Sequence, residues 1–183
     1  EDLTGDSSDE EAFALATPAA ADGVNVNNGT ITITADGTYR LSGEYNGQVK
    51  IEAGKADTVR LVLDNAKITN STGPAINVAG AGEAIIYTAS GTANTIADGA
   101  NYAAKGADDP DAAIYSTANL TLAGEGSLSV KGSYKAGVHT TDGLVIANGT
   151  LDVNAAKAGI KGKDYVDIVG GTVKVTAGQD GIK

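Results

Sequence analysis

The chain has 183 residues, a net charge of -10 and a hydrophobic content of 42%, but only 4% aromatic residues and no cysteine, methionine or tryptophan. The length suits one domain, and the missing thiols exclude disulfides, thiolate metal sites and cysteine nucleophiles. The acidic balance argues against nucleic acid as a partner, and no apolar run approaches the roughly 20 residues of a membrane-spanning helix, so no membrane insertion is expected.

Residues 1–23 are acidic and alanine-rich. The run Ser8-Asp9-Glu10-Glu11 reads as a capping box ahead of Ala12-Phe13-Ala14-Leu15, which predicts a short helix that covers the first coil or, alternatively, a linking segment. No basic stretch leading into an apolar one opens the chain at Glu1, so a signal peptide is expected to be absent or already removed. From Val24 onward the pattern changes to short alternating runs: Val24-Asn25-Val26, Thr30-Ile31-Thr32-Ile33, Tyr39-Arg40-Leu41 and Gln48-Val49-Lys50-Ile51. Longer ones follow at Val59-Arg60-Leu61-Val62-Leu63 and Ala84-Ile85-Ile86-Tyr87. Residues 98–111 interrupt this spacing and are expected to bulge out as a loop.

Beyond the loop a repeat emerges. Gly137, Gly159 and Gly181 each open a unit at a constant spacing, and Leu144 and Ile146 recur in step as Val166 and Ile168. Leu151 and Val153 likewise recur as Val173 and Val175, after the turns Asn148-Gly149-Thr150 and Gly170-Gly171-Thr172. Alternation gives each strand one inward side, and three short strands cannot bury that side alone, so units must stack. The predicted fold is all-β: a right-handed parallel β-helix over residues 24–183, with coils of about 22 residues numbering about six or seven.

Stacking turns positions one period apart into columns about 4.8 Å per step. Asp142 and Asp164 form such a pair. They read either as oxygen ligands for Ca²⁺ or as solvated turn residues, and Asp108, Asp109 and Asp111 in the loop carry the same two readings. A second column runs His139, Lys161, Lys183, beside Lys163 and near Lys135 and Lys157. This basic stripe in an acidic protein is either a seat for an anionic ligand or ordinary solubilising charge. Catalysis has little support. The single histidine would have to recruit Ser133 and Asp142, with no motif around the serine.

The phrases Asp57-Thr58-Val59-Arg60-Leu61-Val62-Leu63, Asn70-Ser71-Thr72-Gly73-Pro74-Ala75-Ile76 and Gly159-Ile160-Lys161-Gly162-Lys163-Asp164 recur together with Gly170-Gly171-Thr172 and Asp180-Gly181-Ile182-Lys183. On these, residues 59–183 resemble a family of bacterial exported carbohydrate-binding domain-containing proteins, known from a clostridial cell-surface β-helix that binds polygalacturonic acid and cellulose. The resemblance implies a parallel β-helix like that of pectate lyases, calcium binding, attachment to acidic plant polysaccharide and a place outside the cell, with no established lyase activity. Where the family repeats acid-glycine-isoleucine-lysine in successive coils, this chain has Ala136 and Ala158 in the first two copies and an acid only at Asp180.

Two functions are therefore expected. One is noncatalytic, calcium-assisted binding of an acidic polysaccharide through Lys161, Lys163, Lys183 and His139. The other is a structural subunit: a coil that stops at Lys183 leaves an open strand edge on which another copy could dock end to end to build a filament.

Overall fold

The computed structural model describes residues 10–183, and these contain eighteen β-strands and no helix. The strands are β1 (Glu10–Ala14), β2 (Val24–Asn27), β3 (Thr30–Ile33), β4 (Gly37–Asn46), β5 (Gln48–Glu52), β6 (Thr58–Asn70), β7 (Ile76–Gly80), β8 (Glu83–Thr88) and β9 (Ala93–Asp98). They continue as β10 (Ala112–Ser116), β11 (Asn119–Gly124), β12 (Ser127–Gly132), β13 (Ala136–Thr140), β14 (Gly143–Ile146), β15 (Thr150–Ala155), β16 (Ile160–Gly162), β17 (Tyr165–Ile168) and β18 (Thr172–Ala177).

Parallel pairing stacks them into the expected solenoid, with about seven turns about 24 residues apart. Three ladders form its faces: β7-β10-β13-β16, β8-β11-β14-β17 and β9-β12-β15-β18, each coil giving one strand to each. The long β6 joins two of them, its first half pairing with β8 and its second with β9. In the last coils the pairing follows the period of the sequence repeat, Val138 meeting Ile160, Leu144 meeting Val166 and Val153 meeting Val175. The preceding coil is slightly longer, and there Leu120 pairs with Leu144.

Alternation explains what is buried. In β12 and β15 the inward residues Leu128, Val130, Leu151 and Val153 are at most 5% exposed, while Ser129, Lys131 and Asn154 between them are exposed. Inward side chains of successive coils sit on one another, so a single apolar cluster runs from Phe13 to Ile160. Each fully buried Leu or Ile adds about 1.5–3 kcal/mol. Polar groups that turn inward are satisfied: Asn94 accepts from the Ala66 N–H (2.8 Å) and donates to Thr92 Oγ1 (2.9 Å).

Two expectations fail at the N-terminal side. Glu10–Ala14 is a strand, not a helix, and lies parallel to β4 with Phe13 opposite Leu41. Phe13 and Leu15, on the same side of the extended chain, are 8% and 1% exposed, a period-two pattern that the free edge of β4 rewards more than a local capping box does. Arg40 ties the strand down by donating to Glu10 and to Asp64 Oδ2 (3.1 Å). Ser8 and Asp9 of the expected cap lie outside the described residues. In addition, β2 and β3 pair antiparallel rather than stacking as coil strands. Their connection is Asn28-Gly29, with φ of 48° and 75°, the two left-handed residues of a tight hairpin turn.

The expected loop is present. Residues 99–111 contain no strand, and they lengthen their coil so that Ile76 finds its partner Ile114 only after the whole insertion. The base of the loop is anchored inside the protein. Tyr102 is 4% exposed, stacks on Tyr134 with ring centroids 4.2 Å apart, and places its hydroxyl 2.6 Å from Asp98 Oδ2 and 2.8 Å from the Ala112 carbonyl.

Candidate functional site

The loop and the basic column meet on one face. Ile114, Val138 and Ile160 are fully buried, so their neighbours Tyr115, His139 and Lys161, paired in register, point outward one above the other. A bridge between Ile160 and Ile182 sets Lys183 next in this column. The column expected from the sequence thus forms, and it extends one coil further back to Tyr115, whose ring meets His139 edge-on at 5.3 Å. The sequence period hid this member because the coil between Tyr115 and His139 is longer than the repeat. The alignment of Ile114-Tyr115 with Val138-His139 was the signal that could have found it.

The loop folds over the upper part of the column. Asp108, Asp109 and Asp111 wall a groove of about 320 Å³ whose floor is Tyr115, His139, Lys161 and Lys163. Asp111 Oδ1 lies 2.5 Å from His139 Nδ1, and Asp109 Oδ2 accepts from the Gly106 N–H (2.6 Å) within the loop. Burial by itself would raise the Asp111 pKa, but the hydrogen bond from His139 and the charges of His139, Lys161 and Lys135 outweigh it and hold the carboxyl below its ordinary range. Burial, and then the charges of Asp111, Asp108 and Asp109, push the Tyr115 phenol up, so it stays protonated.

On the far side of Asp111 a second hollow opens, lined by Lys135, Lys157, Lys161 and Lys183 together with Ala136, Ala158 and Gln179. Lys157 stacks on Lys135 through a backbone hydrogen bond of 2.8 Å between the two turns, and Lys135 Nζ also sits 5.0 Å from the centre of the Tyr134 ring. Lys183 Nζ pairs with Asp180 Oδ2 at 2.7 Å. The two depressions differ in charge. The groove sets two lysines against three aspartates, whereas the hollow is lined by four lysines and Asp111, with Asp180 paired to Lys183 at its end. The structure therefore splits the residues grouped by sequence: Lys161 serves both depressions, Lys183 belongs to the hollow, and His139 and Lys163 belong to the acid-walled groove.

Asp142 and Asp164 do stack, the Asp164 N–H lying 3.3 Å from the Asp142 carbonyl oxygen, but they line neither depression. Asp142 Oδ1 accepts from the Gly143 N–H (3.1 Å). Ca²⁺ takes about six to eight oxygen ligands. Among the described residues no three His, Cys, Asp or Glu side chains are grouped so as to hold a metal ion, and of the loop carboxylates Asp111 is engaged with His139 and Asp109 with Gly106.

Residues 27–183 match a family described as carbohydrate-binding domain-containing protein. A curated relative of that description from Acetivibrio thermocellus is 37% identical over 137 residues, which are 73% of this chain and 48% of the relative. The chain thus spans about half the length of the curated relative it matches. A solved structure described as the polysaccharide lyase-like protein from C. thermocellum, in a gadolinium derivative, has a TM-score of 0.77 and 26% identity, covering 95% of this chain and 93% of that one.

Proposed function

The chain belongs to the carbohydrate-binding domain-containing protein family, and from that premise we propose that it binds an acidic polysaccharide, without cleaving it, at the lysine hollow beside the loop. The observation that carries this reading is the placement of Lys135, Lys157, Lys161 and Lys183 around one hollow in a chain of net charge -10. Charge of that density on an otherwise acidic rod favours a ligand that brings carboxylates. The columns formed by Lys135 with Lys157 and by Lys161 with Lys183 follow the stacking direction of the coils. A polymer laid along that direction meets a lysine at each coil, which suits a chain with carboxylates on successive sugars better than a short ligand.

The hollow is lined by lysines and Asp111 and does not include the histidine. The one histidine lies in the neighbouring groove with its Nδ1 engaged by Asp111, which supports binding without elimination chemistry. The test is affinity electrophoresis in polygalacturonate and in a neutral glucan, with an assay for unsaturated uronate release run in parallel. Retardation by polygalacturonate that is lost in Lys157→Ala/Lys161→Ala, with no release of unsaturated product, fits the reading. Equal mobility of wild type and variant, or product release, sinks it.

A further inference from the structure

Lys135 sits in the turn between β12 and β13, and that turn is pinned to the base of the long loop. The Ser133 N–H donates to Asp98 Oδ1, while the other carboxylate oxygen lies 2.6 Å from the Tyr102 hydroxyl. Tyr102 is 4% exposed, and its ring backs the Tyr134 ring with centroids 4.2 Å apart and planes inclined by 19°. Lys135 Nζ stands 5.0 Å from the centre of that same Tyr134 ring. The aromatic seat is thus fixed independently of the lysine that uses it.

The turns that follow in the stack lack this seat. Lys157 stacks on Lys135 and Gln179 on Lys157 through backbone bonds of 2.8 and 2.9 Å, and Ala156 and Gly178 take the place of Tyr134. Lys157 is exposed, whereas Lys135 is half-buried. Lys135 forms no ion pair among the described residues, so its charge remains open to a ligand, while that of Lys183 is shared with Asp180. A lysine ordered only by its ligand gives up side-chain entropy on binding, and one already seated on an aromatic ring gives up less.

Resting on the proposed binding of acidic polysaccharide at the hollow, we propose that Tyr134, backed by Tyr102, is a positioning residue that presets the Lys135 ammonium for a ligand carboxylate. Neither ring lines the hollow, so the effect reaches the ligand through Lys135 alone. The long loop then has a second role: besides walling the groove with its aspartates, it supplies the buried tyrosine on which the seat rests.

The test is a double-mutant cycle between Tyr134 and Lys135, read by biolayer interferometry on immobilised polygalacturonate, with melting temperatures measured alongside. Tyr134→Ala reproduces the residue that the next coil carries at Ala156. It is expected to weaken binding about fivefold, and Tyr134→Phe, which keeps the ring, to bind as wild type does. In a Lys135→Ala background, adding Tyr134→Ala is expected to change nothing further. Tyr134→Leu, which still covers Tyr102 but offers no ring, repeats the cycle if the alanine variant does not fold.

A Tyr134→Ala variant that binds as wild type does, or that weakens binding equally with and without Lys135, overturns the positioning role. The second of these outcomes would mark Tyr134 as a purely structural residue. A wild type that is not captured by polygalacturonate, or whose capture is unaffected by Lys135→Ala, overturns the reading of the hollow on which the proposal rests. That failure is distinct from one in which Lys135 matters and Tyr134 does not.

Discussion

The Tyr102 hydroxyl lies 2.6 Å from the Asp98 carboxylate at the base of the long loop, and 2.8 Å from the Ala112 carbonyl oxygen. The hydroxyl donates toward both oxygens and so ties the carboxylate at the end of β9 to the start of β10. Burial opposes the charged form of that carboxylate. Asp98 is 6% exposed, and desolvation raises its pKa despite the lowering effect of hydrogen bonds from Tyr102 and the backbone of Ser133 and Tyr134.

A group whose pKa is raised on folding contributes stability that is fully present below its unfolded value, about 3.9 for Asp, and lost as pH rises through the folded value. Asp98→Asn, neutral at every pH, removes that loss. Its melting temperature relative to wild type is expected to be higher near neutral pH, with the advantage shrinking as the pH is lowered toward about 4. A difference independent of pH would contradict the raised pKa.

Asp111 carries the opposite sign. Its folded pKa is lowered, so its contribution is present above about 3.9 and lost as pH falls through the folded value. Asp111→Asn is expected to flatten the acid limb of the wild-type stability curve and to leave its neutral side nearly parallel. Thermal unfolding followed by circular dichroism across the acid range checks this.

Close stacking of turns makes Gly124 irreplaceable. Its φ is +111°, and a Cβ there would stand 2.2 Å from the Thr88 carbonyl oxygen of the preceding coil. Gly124→Ala combines backbone strain with a clash against main chain that cannot move aside, and is expected to destabilise by roughly 2–4 kcal/mol in urea unfolding. Gly91, with φ +72° but open space around it, is the comparison: alanine there meets the strain without the clash and is expected to cost about 1 kcal/mol.

Salt dependence separates the lysine hollow from shape-driven binding. The lysines that line it are half-buried or exposed, so their attraction for a polyanion is screened over a Debye length of about 10 Å at 0.1 M salt. Affinity for polygalacturonate is expected to fall steeply from low to physiological ionic strength. Lys157→Ala and Lys135→Ala are expected each to reduce the slope as well as the affinity, while Lys174→Ala on β18, paired with Asp152, leaves both unchanged. A salt-independent affinity would point to hydrogen bonding or stacking instead.

The repeat at Leu144/Val166, Ile146/Ile168 and Val153/Val175 determined the solenoid on its own, because residues that recur at the coil period must stack and alternating residues must face one common core. The basic column through His139, Lys161 and Lys183 was legible for the same reason. The Asn28-Gly29 hairpin was legible in principle, since an Asn-Gly pair between two alternating runs marks a tight antiparallel turn. What the sequence left open lies wherever coil length departs from the period. Whether Ala12-Phe13-Ala14-Leu15 coils or extends depended on the free edge of β4, a partner that is distant along the chain. The depth of the loop set Asp111 against His139 of the next coil, and thereby divided the lysines between an acid-walled groove and an open hollow. Backbone hydrogen bonding between successive coils fixes the stacking. Where turns differ in length, as in the long loop, side-chain contacts such as Tyr102 with Asp98 add to the backbone bonds and decide which charges meet.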